Sequence, residues 1–164
     1  MKLLPAWGVV LMLGTLTSPL AGQDVCTGRG TILLVLTAAH ELCQCEGGRK
    51  VHFLRVSLGS GGTGKTRSGD RKTPLGIYPL GTPRTSKDFG LFIPFGYPTP
   101  EQRKLGYTGS DLGLHGPRRG TKDSGAVNVE NDWTWGCIAV ASDSIIFDIA
   151  KWLREKHVEK IELL

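Results

Sequence analysis

The chain predicts a mainly β domain with short helices, an α+β arrangement that closes on one helix and a final strand. Three observations carry that reading. From Thr31 onward, short apolar, β-rich runs alternate with glycine turns. Near the end, Ile145, Ile146, Ile149, Trp152 and Leu153 recur at helical spacing. A length of 164 residues at 40% hydrophobic content fits one globular domain, placed here at residues 30–164.

The elements follow in order. T-I-L-L-V-L-T (31–37) is apolar at nearly every position and reads as a buried strand, and 41–46 as a short second one. Gly47-Gly48 then turns the chain into a third strand over 51–58. Its alternation puts Val51, Phe53 and Arg55 on one face and His52, Leu54, Val56 and Leu58 on the other. His40, His52 and His157 read as ordinary strand or turn residues. G-S-G-G-T-G-K-T (59–66) matches the phosphate-binding P-loop at every fixed position. That loop works only where a helix follows, because the helix N-terminus completes the anion site. Gly69, Pro74 and Gly76 and the lack of apolar periodicity exclude a helix here. Thr73, Pro74 and Gly76 instead predict a turn feeding a strand over 77–80. The segment 89–98 is aromatic but broken by Pro94, Gly96 and Pro98, a strand and then a covering loop or cleft wall. A short helix over 99–104, a strand ending at His115, and a strand over 138–141 come next. Ser142 or Asp143 caps the long helix, and 158–164 closes the chain with Ile161 and Leu163 on one face.

Lys2, an apolar run over 3–16 and then Thr17, Ser18, Ala21 and Gly22 read as an export signal over 1–22, cleaved near Ala21 or Gly22. Pro5, Gly8 and Gly14 interrupt the run, so no stable membrane anchor is expected after cleavage. Gln23 stands where a lipoprotein signal requires cysteine. A soluble, exported product in the periplasm or cell envelope is the expectation. Export permits disulfides among Cys26, Cys43, Cys45 and Cys137. Cys26 can bridge to Cys43 or to Cys45. These two share a strand face and are poor partners for each other. His40, Cys43, Cys45 and Cys26 also sketch a metal site, though at no standard zinc spacing, and the expectation is no metal and no cofactor. The net charge of +5 favours anionic partners. The basic residues lie in ones and twos without aromatic interleaving, which argues against nucleic acid.

The chemistry concentrates in residues 114–140. His115 and Gly116 are followed, 22 positions after the histidine, by Cys137 behind Gly136. A thiol attacks as the thiolate and needs an imidazole or other electropositive group beside it. Gly116, Pro117, Gly120 and Gly125 allow the chain to leave His115 and bring Cys137 back to it. Backbone N–H groups around Gly136 and Cys137 would then face an oxyanion. Taken alone, the pair has a second reading, in which Cys137 is an inert thiol beside Ile138 and Val140 and His115 caps a turn.

The surrounding residues resemble the catalytic signature of the L,D-transpeptidase (YkuD-like) family: His115-Gly116, a linker, then Thr134, Trp135, Gly136 and Cys137. G-D-R-K-T-P-L-G-I-Y (69–78), F-G-Y-P (95–98) and G-S-D-L-G-L-H-G (109–116) resemble the same family. Ala139 and Trp135 stand where many members carry polar residues, and D-W-T-W-G-C-I-A-V (132–140) is similar to one branch of it. The resemblance implies a mixed sheet or sandwich, and peptidoglycan stem peptides as substrate. It implies Cys137 as nucleophile, His115 as general base and acid, the Gly116 carbonyl orienting His115, and Gly136 in the oxyanion region. Thr134, Trp135, Trp133 and Arg118 would be substrate contacts. The acyl acceptor would be the amine of a second stem or of a wall-anchored lipoprotein. Water as acceptor would make the protein a carboxypeptidase or endopeptidase, and an inert Cys137 would leave a non-catalytic wall-binding module.

Overall fold

A computed structural model describes residues 24–120 and 128–164. The expected leader over 1–22 lies outside them, as does Gly125. Two mixed sheets share one core. The first has strand order β3-β2-β1-β9-β4, built from β1 (Ile32–Leu36), β2 (Glu41–Glu46), β3 (Arg49–Arg55), β4 (Gly76–Pro79) and β9 (Lys160–Leu163). The second has order β5-β6-β7-β8, built from β5 (Arg84–Ser86), β6 (Gly90–Pro94), β7 (Gly113–His115) and β8 (Ile138–Ala139). One pair in each sheet is parallel, β1 with β9 and β7 with β8, and the rest are antiparallel.

The unbroken apolar run of β1 follows from burial on both faces. Leu33 and Val35 enter the main core, while Ile32 and Leu34 pack with Cys26, Cys43 and Cys45 in a second cluster. There Cys26 and Cys45 form a disulfide with Cα atoms 5.5 Å apart, and Cys43 is a buried free thiol. The disulfide takes two donors from the metal sketch, and among the described residues no cluster is built to hold a metal. Burial and the Glu41 carboxylate push the Cys43 thiol up to about 12, so it stays neutral.

The third strand is shorter than its pattern predicts. Val51 and Phe53 face solvent on the edge strand β3, and Val56 and Leu58 are buried. Beyond Arg55 the backbone crosses to the second sheet, where Ser57 bridges Ala139 and Gly59 bridges Thr134. This crossing lays the next loop against the turn that carries Cys137.

Short helix α1 (Pro100–Lys104) starts at Thr99 with a capping box closed by Gln102. Helix α2 (Asp143–Glu155) is capped by Ser142 and buries Ile146, Ile149 and Leu153. Each such side chain contributes about 1.5–3 kcal/mol of burial. Ile161 and Leu163 enter the core together, as the alternation of β9 requires. Among the described residues, no helix is long and apolar enough to cross a membrane.

Candidate active site

His115 ends β7 and is 1% exposed. Alternation along β7 sends Leu114 into the core and turns His115 to the opposite side. Phe89 stacks on the imidazole with centroids 3.8 Å apart, Phe92 lies 6.4 Å away on the paired strand, and Trp133 meets it edge-on at 5.6 Å. Nδ1 is 2.8 Å from the Gly116 carbonyl oxygen. A carbonyl only accepts, so Nδ1 carries the proton and Nε2 is the basic nitrogen. Burial lowers the imidazole to about 4, against the opposing effect of the Gly116 bond.

The parallel pairing of β7 with β8 sets His115 beside Ala139. Cys137, two residues earlier, therefore projects from the same side as the histidine. Both open on one cavity of about 370 Å³, together with Asp88, Phe89, Arg118, Trp133, Thr134 and Trp135. Burial raises the Cys137 thiol to about 11, while a Gly113 backbone hydrogen bond and the Lys65 charge pull it down and the Asp111 carboxylate pushes it up. Its Sγ points to the Asp111 carbonyl at 3.7 Å. At neutral pH the pair rests as thiol and imidazole.

The turn bearing the cysteine is tied from inside. Thr134 Oγ1 donates to the Cys137 carbonyl at 2.7 Å and accepts from the Gly136 N–H at 3.1 Å. Thr134 is 3% exposed, and its hydroxyl ties the turn on both sides of Gly136. The Gly136 N–H, expected to face an oxyanion, is likewise engaged. Gly136 has φ of 119°, and a Cβ there would meet the Lys72 carbonyl at 2.5 Å, so glycine is required.

Trp135 is 76% exposed at the rim, with the Arg71 guanidinium 5.7 Å from its ring centroid. Trp133 donates through Nε1 to the Asn128 carbonyl at 2.8 Å and so walls the histidine. Arg118 lines the cavity, while Arg119 pairs with Asp143 at 2.6 Å. His40 holds Asp132 at 3.0 Å, and Asp132 accepts from the Leu58 N–H at 2.7 Å, a structural tie as its turn position suggests. Phe89 was legible only as part of a cleft wall, because 26 positions separate it from the ring it covers.

The P-loop match is disposed of by geometry. Bends and an isolated bridge follow Thr66 in place of a helix, and Lys65 turns inward to Asp70 at 2.7 Å.

In class this is a mainly β domain of two mixed sheets with a cysteine and a histidine opening on one cleft. The chain belongs to the YkuD family, L,D-transpeptidase catalytic domain, whose family model matches residues 30–161. Among solved structures it is similar to the helical cell shape determining protein Pgp2 from Campylobacter jejuni, with 25% identity, TM-score 0.65, and coverage of 82% of this chain and 47% of that one. It is also similar in fold to Bd1075 from Bdellovibrio bacteriovorus, with 22% identity, TM-score 0.55, and coverage of 82% and 47%. A third match is the Enterococcus faecium L,D-transpeptidase C442S mutant, with 12% identity, TM-score 0.54, and coverage of 82% and 50%. The chain thus spans about half the length of these structures. A search of curated proteins returns no match.

Proposed function

We propose that the protein is an exported cysteine L,D-transpeptidase of peptidoglycan, working in the periplasm or cell envelope. The observation that supports this best is the shared cavity of Cys137 and His115, with Nδ1 held by the Gly116 carbonyl so that Nε2 is free to act as base. The Cys137 sulfur attacks the carbonyl of the third residue of a stem tetrapeptide while its proton passes to Nε2. The Gly136 N–H is given to Thr134 Oγ1, so the neighbouring Cys137 N–H is the proposed donor to the resulting oxyanion. The tetrahedral intermediate collapses, the C–N bond to D-alanine breaks, and the imidazolium returns its proton to the departing amine. An amine of a second stem, or of a wall-linked lipoprotein, then attacks the thioester and gives its proton to His115 as the sulfur leaves. Trp135, Trp133 and Arg118 line the approach to the sulfur and are the proposed substrate contacts. Pgp2 is by its description a determinant of helical cell shape, and a comparable part in wall remodelling is proposed here.

Intact-mass spectrometry tests the reading with wild type and Cys137→Ser. The probes are a disaccharide tetrapeptide and, separately, imipenem, the ligand in the solved complex of LdtMt1. The expected result is a covalent adduct on wild type alone, with D-alanine released and dimeric stems formed. Tripeptide without dimers would make water the acceptor. No adduct on folded, reduced protein would refute catalysis and leave a wall-binding module.

A further inference from the structure

The glycine-rich loop and its lysine, unused by the chemistry above, are built into the support of the sulfur. Asp70 gathers the loop around itself. Its Oδ2 accepts from the Thr66 and Arg67 N–H groups, both at 3.0 Å, and its Oδ1 accepts from the Lys72 N–H at 3.0 Å and from Lys65 Nζ at 2.7 Å. Burial alone would raise this carboxyl, yet the Lys65 ammonium and the three backbone donors hold it far below the usual carboxylate range. Lys65 is 4% exposed, and its second bond goes to the Arg67 carbonyl at 3.0 Å. A buried lysine is rare unless paired, and here pair and loop are one unit.

That unit touches both segments that flank the nucleophile. On one side, the Lys72 carbonyl packs against Gly136, the Gly59 N–H donates to Thr73 Oγ1 at 2.8 Å, and the Ser60 N–H donates to the Thr134 carbonyl at 2.9 Å. On the other side, the Thr108 N–H donates to the Thr66 carbonyl at 3.0 Å, and the Lys65 side chain lies so close to Gly109 that a Cβ there would meet its Cε at 3.0 Å. Two residues further along is Asp111, whose carbonyl faces the sulfur. Lys65 and Cys137 line a common cavity of about 390 Å³, separate from the one His115 lines.

We propose that Lys65, clamped by Asp70, is a positioning residue for Cys137: its ammonium favours the thiolate, and the loop it closes fixes the turn that presents the sulfur. The charged and titratable groups facing Cys137 are Lys65, Arg71 and Asp111 from this cavity and Asp88, His115 and Arg118 from the other. Of these, Lys65 is the cation buried within the loop packed on the cysteine turn. The proposal rests on Cys137 as the nucleophile, and its test is independent of any wall substrate.

The test is the pH dependence of Cys137 alkylation by iodoacetamide, read by intact mass, with Cys137→Ser as background. Cys43 is buried and the other two cysteines are bridged, so the signal belongs to Cys137. Lys65→Met is expected to slow alkylation about tenfold near pH 8, the effect of a midpoint moved up by about one unit, while Lys65→Arg stays close to wild type. Asp70→Asn leaves the ammonium uncompensated, so alkylation speeds up and the midpoint moves down. A purely structural lysine would lower the melting temperature without moving either midpoint. Folded Lys65→Met and Asp70→Asn proteins with the wild-type profile, or with shifts of the same sign, overturn the proposal. Should one variant fail to fold, the other decides, because the expected signs are opposite. An acyl adduct on wild type with unmoved profiles removes the role of Lys65 and leaves the function standing, and moved profiles without an adduct do the reverse.

Discussion

Acid should destabilise this fold through His115 in a window set by its burial. In the unfolded chain the imidazole has an ordinary value near 6.5, whereas in the folded protein burial holds it at about 4. Between these values the unfolded state takes up a proton that the folded state refuses, so stability falls as pH falls. The contribution is complete above pH 6.5 and fully lost below about 4, and the displacement corresponds to about 3 kcal/mol. The full conversion applies because the ring is 1% exposed, under Phe89 and beside Trp133. Urea unfolding of wild type and His115→Gln at pH 7, 6, 5 and 4 measures it. The variant starts less stable, having lost the stacked ring, and only the slopes matter. Carboxylates held low, such as Asp70, lose their contribution at lower pH and do so in both proteins. Wild type is expected to lose about 3 kcal/mol more than the variant between pH 7 and pH 4, and its acylation rate to keep an acid limb near 4. Parallel stability curves would refute the reasoning and mean that His115 is solvated or charged in the fold.

Two further expectations follow from the same geometry. Cys26→Ser or Cys45→Ser should cost about 3 kcal/mol in urea unfolding, the chain-entropy value for a bridge spanning 19 positions, while thiol titration of the native wild type should count Cys137 alone and of the denatured protein Cys43 as well. Gly136→Ala should abolish acylation in the mass assay while the protein still folds, because the added Cβ strikes the Lys72 carbonyl and the backbone there has a positive φ; normal acylation would show that the turn gives way.

Much of the chain's plan is carried by local signals. The alternation of β9, the spacing of Ile146, Ile149 and Leu153, the Thr99 and Ser142 caps, and the turn at residues 73–76 are short-range consequences of residue type, and each predicted element formed near its place. The resemblance marked His115 and Cys137, because a motif of turn-formers and reactive side chains is written within 27 residues. The third strand failed at its far end for a tertiary reason: Ser57 pairs with Ala139 across the molecule, and no periodicity within 51–58 encodes that partner. Cys43 and Cys45 are equivalent by pattern, and only the path of the N-terminal segment over the sheet selects Cys45 for the bridge. The sequence by itself determined most of the elements, the caps, the glycine turns and the motif that holds His115 and Cys137, since these depend on neighbours a few positions away. Only the tertiary structure decided that Phe89 covers the imidazole, that Gly136 spends its N–H on Thr134, and that Lys65 is folded inward onto Asp70 in a cavity shared with Cys137. Desolvation and electrostatic support act through space, between residues that chain distance keeps apart.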